Sequence, residues 1–222
     1  MLHDLFHDLI LTWFGWVRDG GYPGIVALMA MESSIFPVPS ELVIPPAAYW
    51  AAEGKGGMTF WGVVIAGTAG SWLGASLTYV GARWLGRAAL ARWGRWILLT
   101  PAKLDKAEVF LHRYEAGGVF FSRLLPVIRH LIGIPCGLVR MNFLVFSLMT
   151  VIGSGIWCTI LAWYGQRIGT QHPGAMEDPE LLISAVKADS LWLVLTMIIL
   201  AGLYVFVTWL TRSKPADADV KA

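Results

Sequence analysis

From Met58 to Ala82 the sequence reads "MTFWGVVIAGTAGSWLGASLTYVGA", with no Asp, Glu, Lys, Arg or His in it. Wound as a helix at 1.5 Å per residue, such a run is long enough to cross a hydrocarbon core about 30 Å thick. The rest of the chain fits the same solvent. Of its 222 residues 56% are hydrophobic and only 14% charged, and the mean hydropathy is +0.61. That is more apolar than a soluble domain of this size normally is. Twelve Trp and eleven Pro agree, because Trp gathers at membrane interfaces and Pro is tolerated in membrane helices. A net charge of +2 decides nothing about partners, and no nucleic acid is expected as one.

Charge placement orients the chain. The span at 58–86 is followed by a helical loop at 87–117 that carries Arg87, Arg92, Arg95, Lys103, Lys106 and Arg113, and the positive-inside rule assigns this loop to the cytoplasm. A second span at 142–169 leads to an external loop at 170–182 with Glu177, Asp178 and Glu180. A third at 183–211, built on the apolar run from Leu191 to Leu210, ends in a cytoplasmic tail at 212–222. Residues 1–21 lack the basic n-region of a signal peptide. They are expected to remain as a partly amphipathic helix lying along the interface, with Asp4, His7 and Asp8 beside Leu2, Phe6, Leu9 and Trp13.

Two apolar segments are unfit to be simple spans. Residues 22–52 contain "MESSIFPVPSELVIPPAAYWA", and residues 118–141 contain "VFFSRLLPVIRHLIGIPCGLVRM"; each has charges and prolines near its middle. Non-helical backbone at membrane depth survives only where protein buries it or a wet cavity receives it, so both are expected to be re-entrant hairpins. The orientation above makes them dip from opposite faces. An internal repeat supports this: Pro37, Val38, Leu42 and Pro46 match Pro126, Val127, Leu131 and Pro135, and "YVGAR" from Tyr79 matches "WYGQR" from Trp163. The expected fold is therefore all-α and polytopic. It has an inverted repeat of two re-entrant hairpins, each followed by a transmembrane helix, with a transmembrane helix at the C-terminus and an amphipathic one at the N-terminus.

The hairpins hold the residues that chemistry could use: Glu32 and Glu41 in the first, Arg123 and Arg129 in the second. At about 2.5 to 3.5 kcal/mol per intramembrane charge, four unpaired ones would cost roughly 10 to 14 kcal/mol, so they must be paired or wet. Breaks at Pro37, Pro39 and Pro126 would let both pairs converge. Arginine's planar fork suits a phosphate or a carboxylate, and glutamate beside it can change protonation state. A purely structural ion-pair lock is the competing reading. Ser40 and His130 are secondary candidates, with hydrogen-bonded packing the plainer reading for His130. Cys136 and Cys158 read as packing residues. Gly70, Gly74, Gly133 and Gly137 have the small-xxx-small spacing that lets helices approach. Neither a metal nor a cofactor is expected, and no P-loop, H-E-x-x-H or G-x-S-x-G motif points to an enzyme.

The segments "ESSIFPVPSELVIPPAAYWA", "GSWLGASLTYVGARWLGR" and "FFSRLLPVIRHLIGIPCGLVRMNFLVFSLMTVIGSGIWCTILAWYGQRIG" resemble the DedA family of bacterial inner-membrane proteins, also called the VTT or SNARE-associated domain family. The likeness covers a core at 22–182. It implies a multi-pass protein of the bacterial inner membrane that moves a lipid phosphate such as undecaprenyl phosphate, or a phospholipid, with protons as coupling ions. It also implies that Glu32 and Glu41 are the family's acidic pair and Arg123 and Arg129 its arginine pair. The context "PSE" around Glu41, where some members have "PGD", leaves the substrate open. A proton-coupled exporter or exchanger of small solutes is the alternative, and both monomer and homodimer fit the sequence.

Overall fold

The computed structural model describes residues 2–34, 38–93, 117–124, 129, 131–174 and 202. The regular elements among them are helices: α1 (Leu2–Glu32), α2 (Ile44–Ala52), α3 (Phe60–Trp93), the stretch 117–123 of α4, α5 (Gly133–Leu138) and α6 (Phe143–Gln171). Single 3-10 turns at Ser40–Leu42 and Lys55–Gly57 precede α2 and α3. Two helical stretches, Phe60–Gly86 of α3 and Phe143–Gln171 of α6, are long and apolar enough to cross a membrane. They correspond to the expected spans at 58–86 and 142–169. Several expectations lie outside the described residues: most of the loop at 87–117, the external loop beyond Gly174, the third span apart from Gly202, the tail at 212–222, and Pro37, Pro126 and His130.

α1 is two limbs joined at a sharp bend. Gly21 has φ 54 and ψ −135, a backbone conformation open to glycine and strained for other residues. Pro23 follows in the first turn of the second limb, where its missing N–H is not needed. A Cβ on Gly24 would fall on the carbonyl of Trp16, so the limbs touch. Eight residues of straight helix would hold those positions about 12 Å apart.

Glycines set where the helices meet. α1 packs on α3, with Gly70 facing Val26 and Met29, and Gly74 facing Ala30 and Ser33. The Tyr22 hydroxyl accepts the Thr59 N–H (2.9 Å) beside the start of α3, and Thr78 Oγ1 donates to the Ser33 carbonyl (3.1 Å). The second limb of α1 therefore runs from the start of α3 to about its middle, where Glu32 ends the helix. α2 begins with Pro45 and Pro46 in its first turn, again where no N–H is required. It packs on α6, its Pro45 carbonyl against Gly165 and its Tyr49 carbonyl against Gly169. In the second broken segment the Arg123 Cβ lies against Gly153 of α6, whereas α5 packs on α3 with Gly137 against the Tyr79 carbonyl. The Tyr79 hydroxyl donates to the Met141 carbonyl, and Asn142 caps α6 by accepting the Leu144 N–H (2.9 Å).

Large apolar side chains are left on the outer faces. Trp61, Ile65, Leu77 and Trp84 on α3 are exposed within an arc of about 160°, and Leu144, Leu148, Ile152 and Ile156 on α6, four residues apart, form one inclined row within an arc of about 120°. Stripes of this size suit lipid and not water. On the inside, Ile25, Leu28, Val43, Ile44, Ala47, Val63, Leu161 and Ala162 form one buried core shared by α1, α2, α3 and α6.

The end of α2 is tied to the end of α6 by Glu53. Its carboxylate accepts the Gly174 N–H (2.8 Å), lies 3.0 Å from the Tyr49 hydroxyl and pairs with Lys55 (2.9 Å); the same hydroxyl is 3.2 Å from the His172 carbonyl. Burial pushes this carboxyl up, but the Gly174 N–H, Lys55 and Tyr49 outweigh it and hold it below the usual carboxylate range. A depressed carboxyl contributes stability that is complete above its unfolded value and fades as pH falls through its folded one. Thermal unfolding followed from about pH 5 to pH 3 is expected to show a loss of stability that Glu53→Gln lacks in part. Gly165→Ala, whose Cβ would strike the Pro45 carbonyl, is expected to cost about 1 to 3 kcal/mol. Gly81→Ala, in the same relative position of α3 and with open space around it, is expected to be neutral or stabilising by up to about 1 kcal/mol in the same melts.

Candidate functional site

Glu32 is the last residue of α1 and lies 2% exposed. The first N–H groups of a helical turn have no partner within it, and here the carboxylate at the end of α1 answers one of them across the break. Glu32 Oε1 accepts the Ser40 N–H (2.9 Å), which joins the end of α1 to the 3-10 turn on the far side of the proline-rich stretch. Pro39, with φ −67 and ψ 123, holds the chain extended just before that turn. Ser40 is fully buried, and Glu41, next in the turn, is 38% exposed at its side chain.

Into this turn reaches Arg129 of the second broken segment, itself 7% exposed. Its Nη2 donates to Glu32 Oε1 (2.7 Å) and to Ser40 Oγ (2.7 Å), and lies 3.4 Å from Glu41 Oε1. An amino group of a guanidinium has two protons. Glu32 and Ser40 take them at short range, so Glu41 is a charge neighbour more than a hydrogen-bond partner. α6 closes the inner side: the Arg129 guanidinium lies 5.0 Å from the centroid of the Trp157 ring, and Trp157 Nε1 donates to Ser40 Oγ (3.3 Å). Trp157 is the central residue of the 29-residue α6, so the cluster lies about 21 Å from either end of that helix.

Arg123 makes a different set of contacts. It is 3% exposed, donates from Nη1 to the Arg129 carbonyl (2.9 Å) and lies 5.9 Å from the centroid of the Phe146 ring. Among the described residues it makes no ion pair. The Nε atoms of Arg123 and Arg129 are both buried without a hydrogen-bond partner among the described residues. Both carboxylates instead converge on Arg129. The physical reason is local: the Arg123 Cβ is pinned against Gly153, and its guanidinium is engaged by the carbonyl of Arg129 itself.

The structure thus brings Glu32, Ser40, Glu41 and Arg129 within reach of one another and sets Arg123 directly behind them; His130 lies outside the described residues. Sequence reasoning missed Trp157. The available signal was its position, since a Trp in mid-span, within "GSGIWC", sits where the interfacial preference of Trp does not explain it.

Two long apolar helices, lipid-facing stripes and a buried charge cluster at mid-depth define a helical membrane protein with a polar site in its interior. Residues 38–167 match the VTT domain, and the chain belongs to the VTT-domain, or DedA, family. It is 34% identical over 84% of its length to uncharacterized membrane protein YkoX of Bacillus subtilis, covering 82% of that protein. It is 35% identical over 74% of its length to undecaprenyl phosphate transporter A of the same organism, covering 80% of it. An alkaline phosphatase-like protein of Lactococcus lactis subsp. cremoris is 30% identical over 84% of the chain and 86% of its own length. No solved structure matches the chain.

The two carboxylates are expected to differ in what they do for stability. Glu32→Ala leaves the Arg129 charge buried, and breaking such a pair costs about 3 to 5 kcal/mol. Glu41→Ala removes a longer, more exposed contact and is expected to cost at most about 1 kcal/mol. Thermal midpoints of the purified proteins in one detergent would rank them.

Proposed function

We propose that this protein carries a lipid phosphate across the bacterial inner membrane, undecaprenyl phosphate being the leading candidate, with protons as the coupling ions. One observation carries the reading: two buried guanidiniums and two carboxylates form a neutral cluster at mid-depth, and one guanidinium has no carboxylate partner among the described residues. A phosphate monoester entering such a cluster can take the place of a carboxylate at little electrostatic cost. Protonation of a glutamate leaves the cluster with one positive charge, which a phosphate monoanion restores to neutrality. Deprotonation after the lipid has crossed favours its release. The similarity to undecaprenyl phosphate transporter A supports the substrate class.

The contact pattern supports a re-entrant, inverted arrangement for the path. α1 and α2 approach from the side on which α3 begins and α6 ends, and the second broken segment follows the opposite ends of the same helices. Ser40 and Arg129 are partners in the repeat, 89 residues apart, and they bond directly to each other. Repeat-related residues in contact lie on the symmetry axis, so the site would straddle the point where the two hairpin tips meet. The acyl or prenyl chain would stay in lipid while the headgroup passes between the tips. With the basic loop in the cytoplasm, the C-terminus lies there too.

Reconstituted vesicles loaded with undecaprenyl phosphate test the reading. Arg123→Ala and Arg129→Ala, inserted and folded, are expected to slow translocation at least about tenfold, the scale of one lost charge-assisted hydrogen bond. An imposed proton gradient is expected to speed the parental protein. Parental rates in both variants would overturn the proposal. Proton flux driven by a small solute, without lipid movement, would favour an exporter, and release of inorganic phosphate would favour an enzyme.

A further inference from the structure

We infer that Glu41 is the exchangeable partner of Arg129, the group an incoming phosphate displaces, while Glu32 stays bound throughout; this rests on the lipid-phosphate reading above. Four features of the cluster separate the two carboxylates. Glu32 is 2% exposed and Glu41 38% exposed at the side chain. Glu32 lies 2.7 Å from Arg129 Nη2, Glu41 3.4 Å. Glu32 is also anchored by the Ser40 N–H across the chain break, so moving it would strip a buried backbone donor of its acceptor. Finally, both Nη2 protons are already taken at short range by Glu32 and Ser40, which leaves Glu41 with the longest and weakest of the three contacts.

The surroundings give the direction of approach. The Trp157 ring and the Ser40 hydroxyl wall off the inner side of Arg129, and Arg123 sits behind it on the Arg129 carbonyl. Among the described groups around the guanidinium, Glu41 is the most exposed. An anion arriving from outside therefore meets Glu41 first and competes with it for the same cation. The unpartnered Nε atoms of Arg129 and Arg123 give that anion donors that neither glutamate uses.

Displacement has a signature that a structural lock lacks: removing the competitor should strengthen binding and slow transport. The experiment measures binding of farnesyl monophosphate to the full-length protein in detergent by titration calorimetry, and translocation of undecaprenyl phosphate in vesicles. Glu41→Gln is expected to tighten the farnesyl monophosphate dissociation constant by up to about fivefold, the equivalent of one exposed ion pair, while translocation slows because nothing displaces the bound headgroup. Glu32→Gln is expected to weaken binding or leave it unchanged. Binding by Glu41→Gln that is unchanged or weaker, with Arg129→Ala still abolishing it, would overturn the exchange and leave the transporter reading standing. Loss of the folded state in Glu41→Gln would overturn it as well, since an exchangeable group is not a structural one. Parental protein that does not bind the probe, or binds it equally in Arg129→Ala, would sink both.

Discussion

A guanidinium at the centre of a membrane-embedded core must find acceptors, and Arg129 finds them on a segment far from it in sequence. Its two short hydrogen bonds, to Glu32 and Ser40, join the end of α1, the 3-10 turn after the proline-rich break and the second broken segment. The Trp157 ring adds α6 to the same group. Four chain stretches thus depend on one side chain. Unpaired charge is so costly at this depth that the alternatives to this arrangement are far less stable.

The interface glycines make that meeting geometrically feasible. Arg129 and Ser40 can touch because α1 lies against α3 at Gly70 and Gly74, and α2 lies against α6 at Gly165. At Gly165 a single methyl group would strike backbone. Hydrophobic matching between lipid and helix cannot choose among packings, since both are apolar, so small residues and buried polar contacts make the choice. The same division explains the exposed stripes on α3 and α6, whose large side chains face lipid and carry no packing information.

The cluster is also asymmetric. One carboxylate is fixed by a backbone N–H, the other is held at longer range and partly exposed. One guanidinium is paired and the other leans on a carbonyl and an aromatic ring. A fully satisfied cluster would be inert, and an unsatisfied one would be too costly to bury. The unpartnered Nε atoms of both arginines leave this one between those limits.

The sequence by itself determined the solvent, the presence of two long apolar helices, found at Phe60–Gly86 and Phe143–Gln171, and the few charged residues that the broken segments carry. These follow from composition, from charge-free runs and from the cost of a charge in lipid, all of which are local quantities. It also marked the chain break at Pro39, whose ring fixes φ in any context; the other two breaks it marked, at Pro37 and Pro126, lie outside the described residues. Only the tertiary structure decided who pairs with whom. Glu32 and Glu41 both turn to Arg129, Arg123 is left to a carbonyl, and Trp157 closes the group from mid-helix. Pairing across 97 residues depends on where backbones cross, and that depends on which glycine meets which carbonyl, a three-dimensional fit that no one-dimensional pattern carries.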